Sequence, residues 1–183
     1  MVNALKLPFS FDPDSLKADL ELVGAEEWVP HFNRPYYEGV WSGVSLRSVT
    51  GNASSLFPDP SRTDFYADTP LMGRCGYFRR VTEAFECGLE SVRLLKLGPG
   101  ARIREHSDFD LGFEYRIVRV HIPVRTSAEV EFVVGGERVS MGEGECWYLD
   151  LSLDHSVANS GAGDRVHLVV DCVVNDWVRS VFK

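Results

Sequence analysis

From residue 89 onward, apolar and polar positions alternate in short runs broken by glycine. The runs are "SVRLLKL", "ARIREH", "RIVRVHIPV", "AEVEFVV", "ERVSM", "ECWYLD", "HSVAN" and "RVHLVVDCVV", with turns such as "GPG", "GG" and "SGAG" between them. Period-two runs punctuated this often predict an all-β sandwich or barrel. In "RIVRVHIPV", alternation puts Val118, Val120, Ile122 and Val124 on one face and Ile117, Arg119 and His121 on the other. In the last run Arg165 and His167 share a face opposite Val166, Leu168 and Val170.

The first 88 residues follow a different pattern. "FDPDSLKADLELVG" predicts a short helix with Asp12 as N-cap, Pro13 in the first turn, Leu16, Leu20 and Val23 as its apolar stripe and Gly24 as its end. "VWSGVSLRSV" predicts a strand, and residues 50 to 70 a long irregular loop of the kind that often serves as a lid. "GYFRRVTEAFECG" spaces Tyr77, Phe78, Val81 and Phe85 at helical period and stops at Gly88, and "NDWVRSVF" predicts a closing helical turn. With no internal repeat or low-complexity linker, the expectation is one domain over residues 1–183. In it, residues 1–88 form a helical and strand cover and residues 89–174 a β core.

Composition narrows the partners. A chain of 183 residues with 44% hydrophobic content can bury a substantial core. A formal charge of −8 argues against a general nucleic-acid binder, whose affinity rests on Lys and Arg neutralising phosphates. "MVNALKLPFSFDPDSL" shows neither a signal peptide nor a membrane span, so a cytoplasmic protein is expected. Cys75, Cys87, Cys146 and Cys172 form no CxxC pair. They are expected as reduced thiols, with Cys146 and Cys172 packed in strands.

The stretch "EHSDFD" carries the chemistry. Two positions apart on a strand, side chains share a face with Cα atoms about 6.5 Å apart, so His106 and Asp108 can lean toward one cation. His155, at the start of a later strand, offers a third ligand, and Asp110 is an alternative to Asp108. Two imidazoles and one carboxylate suit Fe(II) and leave positions open for substrate, whereas a structural zinc site closes all four. Two arginines and a histidine facing such a metal suggest a pocket for a dicarboxylate, because the guanidinium fork matches a carboxylate. Arg47, Arg74, Arg102 and Tyr115 are further candidates for substrate contact. His31 and Trp28, Trp41, Trp147 and Trp177 are expected to be packing or cover residues.

Three segments in order, "LGPGARIREHSD", "RVHIPV" and "DHSVANSGAGDRVHLVVD", resemble the aspartyl/asparaginyl β-hydroxylase family of Fe(II)- and 2-oxoglutarate-dependent dioxygenases, which includes bacterial proline hydroxylases. The resemblance covers roughly residues 89 to 173. It implies a double-stranded β-helix, a jelly roll, with His106 and His155 as iron ligands. It further implies Arg165 on the far carboxylate of 2-oxoglutarate, with Arg119 and His121 lining the cosubstrate pocket. Some animal members manage with two histidines; the "HSD" here is closer to bacterial members with a complete triad. The implied reaction consumes O2 and 2-oxoglutarate, hydroxylates an amino acid or an aspartyl, asparaginyl or prolyl residue, and releases succinate and CO2. The alternatives are a cupin-like metal enzyme of another reaction type, with His121 joining His106, Asp108 and His155, and a non-catalytic small-molecule binding protein on the same barrel.

Overall fold

The computed structural model describes residues 3–57 and 65–182. Its strands are β1 (Ala4–Ser10), β2 (Val29–Pro30), β3 (Tyr37–Glu38), β4 (Trp41–Val49), β5 (Tyr66–Asp68), β6 (Leu89–Leu97), β7 (Arg102–His106), β8 (Ile117–Arg125), β9 (Val130–Val134), β10 (Glu137–Arg138), β11 (Glu145–Leu149), β12 (His155–Asn159) and β13 (Arg165–Val173). Four helices accompany them: α1 (Pro13–Leu20), α2 (Pro70–Arg74), α3 (Gly76–Glu83) and α4 (Asp176–Val181). The strands make an eight-stranded sheet in the order β1-β11-β8-β13-β6-β4-β2, with β5 on β4, and a five-stranded sheet in the order β10-β9-β12-β7-β3. All the pairings within them are antiparallel. This is the jelly roll that the alternation and the resemblance imply.

Alternation on the long central strands builds two cores. Val118, Val120, Ile122, Val166, Leu168 and Val170 turn outward beneath the helices, packing with Leu16, Phe78 and Val178. The opposite face of the same sheet turns inward, where Leu95, Leu97, Ile117 and Val169 meet Ile103, Phe132 and Val157 of the small sheet. Polar residues with the inward parity, among them Arg93, Arg119, His121, Arg165, His167 and Asp171, are thereby forced between the sheets. Cys75, Cys146 and Cys172 are buried free thiols.

The elements depart from the sequence expectation in several places, the short strands β2 and β3 among them. β1 was not expected, although Leu5, Leu7 and Phe9 alternate. Pro8 interrupts its ladder, and the register with β11 shifts between Lys6 and Ser10, which an edge strand tolerates. α1 begins as expected, with the Asp12 carboxylate accepting from the Ser15 N–H at 2.8 Å. It ends at Leu20 rather than at Gly24, because bonds from Leu22 and Val23 back to Asp19 and Leu20 tighten the last turn. The Gly24 N–H is taken by the Glu27 carboxylate. α3 ends at Glu83, well before Gly88, and a separate helix, α2, precedes it. Of the segment expected as a loop, residues 58–64 lie outside the described residues. Tyr66–Asp68 forms β5, Phe57 lines the space between the sheets, and the Leu56 carbonyl accepts from Arg93.

Among the described residues, no helix is long and apolar enough to cross a membrane.

Candidate active site

Between the two sheets lies a cleft of about 430 Å³. β7 and β12 bring His106 and His155 to its edge as direct cross-strand partners, their ring centroids 4.3 Å apart. Beside the pair the register shifts, Ile103 to His106 of β7 opposing His155 to Val157 of β12, so the extra residue lies on β7 and lets Ile103 and His106 both face the cleft. Asp108 does not reach the same place by strand alternation, since β7 ends at His106. The loop that follows is pinned by the Asp108 N–H, which donates to the Leu151 carbonyl at 2.8 Å.

Ligand atoms of His106, Asp108 and His155 all lie within 4.8 Å of one another. His106 Nδ1 is 2.8 Å from the Arg104 carbonyl and His155 Nδ1 is 3.0 Å from the Leu153 carbonyl. A carbonyl only accepts, so both Nδ1 atoms carry the proton and both Nε2 lone pairs are free for a cation. Burial holds the His155 pKa below its ordinary value, keeping the ring neutral. Asp108 Oδ1 faces His106 Nε2 at 3.7 Å, while its Oδ2 accepts from Arg119 Nη1 at 2.8 Å. Two imidazoles and one oriented carboxylate form a donor set that fits Fe(II) with positions to spare. Asp110 lies outside this group, on a turn with φ of 65°.

A chain of buried charges continues inward. Arg119 grips Asp171 with Nε at 2.7 Å and Nη2 at 3.0 Å, and Arg93 reaches the same carboxylate at 3.1 Å while donating to the Leu56 carbonyl. Burial alone would raise the Asp171 pKa, but the Arg119 and Arg93 charges reverse that and hold it below the usual carboxylate range. Burial likewise opposes the Arg119 charge, yet Asp171 and Asp108 keep its pKa above the ordinary value. The Arg119 guanidinium is thus engaged by two carboxylates, one of them in the metal-binding trio.

Arg165 is different. It is 2% exposed and has no carboxylate partner among the described residues; one Nη atom donates to His167 Nδ1 at 2.8 Å. Burial pushes its pKa down to about 9. A cation so placed calls for an anion in the cleft. His121 Nδ1 lies 3.3 Å from the same His167 atom, and His121 does not join the metal-binding trio.

The remaining candidates are elsewhere engaged or outside. Arg47 binds Asp68 and the Tyr66 and Leu89 carbonyls, and Arg74 binds Glu27. Arg102 lies on the outer face of the small sheet and Tyr115 is 47% exposed. Sequence reasoning missed Arg93 and Asp171 as lining residues, although each has the inward parity of its strand. It also set aside His31 and Trp41, which line the cleft as a stacked pair with centroids 3.4 Å apart. No periodicity marks that pair, which forms only when β2 docks on β4.

The family model for aspartyl/asparaginyl beta-hydroxylase matches residues 20–174. An L-proline cis-4-hydroxylase from Rhizobium meliloti (strain 1021) is 28% identical over 175 residues, covering 94% of this chain. The chain spans 61% of the length of that curated relative. Among solved structures, a prolyl-4-hydroxylase from Pseudomonas putida matches with a TM-score of 0.54 at 15% identity, over 94% of this chain and 93% of that one. An oxidoreductase of the 2OG-Fe(II) oxygenase family from Burkholderia pseudomallei matches at 0.56 and 16%, over 93% and 85%. These structural likenesses concern the fold.

Proposed function

Because the chain belongs to the aspartyl/asparaginyl β-hydroxylase family, we propose that it is an Fe(II)- and 2-oxoglutarate-dependent dioxygenase that hydroxylates a small amino-acid substrate of the proline kind. The products are the hydroxylated amino acid, succinate and CO2. The observation that carries this reading is the juxtaposition in one cleft of a two-imidazole, one-carboxylate trio and a buried arginine without a carboxylate partner. A bare cation-binding site has no use for Arg165, and an anion-binding barrel has no use for the trio. The proline-like substrate rests on the relative from Rhizobium meliloti. A cytoplasmic setting fits cosubstrate supply.

His106 Nε2, Asp108 Oδ1 and His155 Nε2 would hold the metal. When bound, the iron with 2-oxoglutarate and O2 supplies the oxidising power needed to hydroxylate an unactivated C–H bond. The chain supplies placement. The Arg104 and Leu153 carbonyls fix the two imidazole tautomers, and Arg119, itself held by Asp171, fixes the carboxylate. Arg165 receives the far carboxylate of the cosubstrate in a charge-assisted bond strengthened by burial. Apolar walls from Leu95, Ile103, Ile117 and Phe132 exclude water from the reacting group. That β1 and β4 are strands of the large sheet alongside β6, β8 and β13 supports reading the chain as one unit.

The test is anaerobic titration of metal-free protein with Fe(II) and 2-oxoglutarate, followed by the visible charge-transfer band of the chelate. The band appears only with both present and disappears in His106→Ala. Metal binding without the band favours a cupin-like enzyme of another reaction type, and binding of neither leaves a non-catalytic barrel.

A further inference from the structure

His31 follows β2 directly, and its backbone N–H donates to the Trp41 carbonyl at 2.9 Å. Its ring is held between two others, Trp41 at 3.4 Å with planes 13° apart and Phe32 at 4.3 Å with planes 26° apart. The residue is 4% exposed, and what surface remains lines the cleft. Asn33 donates its backbone N–H to His31 Nδ1 at 3.3 Å. An amide N–H only donates, so Nδ1 is the acceptor and the ring proton sits on Nε2. Among the described residues, this Nε2–H has no hydrogen-bond partner. It is also absent from the unpartnered atoms sealed away from solvent, which are Trp41 Nε1, Ser42 Oγ, Arg93 Nε, His121 Nε2 and Arg165 Nε. The free donor thus belongs to a residue that lines the cleft.

We propose that the His31 Nε2–H is the hydrogen-bond donor that receives the carboxylate of the amino-acid substrate. This inference rests on the hydroxylase reading above. Burial first, and then the nearby cationic groups, chiefly the guanidiniums of Arg93 and Arg119, push the ring's pKa down to about 3. The imidazole thus stays a neutral, directional donor, which suits an anionic oxygen. Its aromatic sandwich fixes the ring plane before the substrate arrives, so little ordering is lost on binding. The carboxylate is the one feature common to all free amino acids, and a donor reserved for it separates a free amino acid from the same residue inside a peptide.

The experiment uses protein loaded anaerobically with Fe(II) and 2-oxoglutarate, titrated with L-proline and with L-prolinamide, and read by the shift of the visible band. His31→Phe keeps the ring stack and removes the donor, while His31→Gln places an amide N–H at the same reach. His31→Phe is expected to weaken L-proline by roughly tenfold or more. It leaves Fe(II) and 2-oxoglutarate affinity unchanged and reduces the preference for L-proline over L-prolinamide; His31→Gln recovers part of the loss. Unchanged L-proline affinity in His31→Phe, or an equal weakening of 2-oxoglutarate, overturns the assignment. If Fe(II) and 2-oxoglutarate give no band, the hydroxylase reading fails separately. Tryptophan fluorescence, with Trp41 stacked on His31, then reads the same L-proline titration. Binding that depends on His31 sustains the assignment, and wild-type protein that binds no L-proline by either signal removes it.

Discussion

At the scale of single residues, the site is organised by which charges have partners. Among the described residues Arg165 has no carboxylate beside it, so Arg165→Ala removes the cation that a dicarboxylate needs. The concentration of 2-oxoglutarate at half-saturation is expected to rise by about tenfold or more, given 1.5–3 kcal/mol for a charged hydrogen bond. Steady-state kinetics at fixed substrate check this, and a variant with unchanged dependence would move the role to another group. Asp171 is the opposite case, shared by Arg119 and Arg93 at 2% side-chain exposure. Asp171→Ala leaves buried Arg93 without a carboxylate and Arg119 with Asp108 alone, and should cost about 3–5 kcal/mol in chemical denaturation. The sequence disclosed part of this. His106, Asp108, His155 and Arg165 could be picked out from spacing and resemblance. The engagement of Arg119 by Asp171 could not, because it joins residues 52 positions apart on neighbouring strands. His31 was opaque for the same reason: its neighbours in space are set by strand docking.

At the scale of elements, β13 positions half of the inward polar residues named above, with Arg165, His167 and Asp171 inward and Val166, Leu168 and Val170 outward. That strand was legible because its alternation is unbroken. Its start is fixed by Asn159, whose Nδ2 donates to the Leu97, Gly98 and Gly163 carbonyls, tying the end of β6 to the turn before Arg165. Asn159→Ala leaves these carbonyls without that donor in a buried place. A loss of about 1–3 kcal/mol in urea-unfolding free energy is expected. β1, β2, β3, β5 and α2 were the illegible elements. Each is short or interrupted, and its conformation is set by the strand or helix against which it lies rather than by its own period.

At the scale of the whole molecule, the interior between the sheets holds several histidines whose charged form is disfavoured by burial. His31 is pushed down to about 3, and His121 and His167 lie well below their ordinary value. In the unfolded chain each would titrate near pH 6.5. As pH falls below that value, the unfolded state takes up protons that the native state refuses, so stability declines between about pH 6.5 and the lowered native values. Asp171 adds a second loss at more acid pH: its native pKa is depressed, so its contribution is full above about 3.9 and disappears as pH falls through the native value. Denaturation midpoints measured from pH 8 down to pH 4 should fall steadily from near neutrality.

The pairing of His106 with His155 across β7 and β12 has a mechanical side. A slip of one residue between these strands would turn one imidazole to the outer surface. An ion held by both rings therefore rivets two strands of the small sheet together at the bulge. Loading with Fe(II) or an inert divalent substitute should slow amide hydrogen exchange across β7 and β12 while leaving the distant helix α1 unchanged.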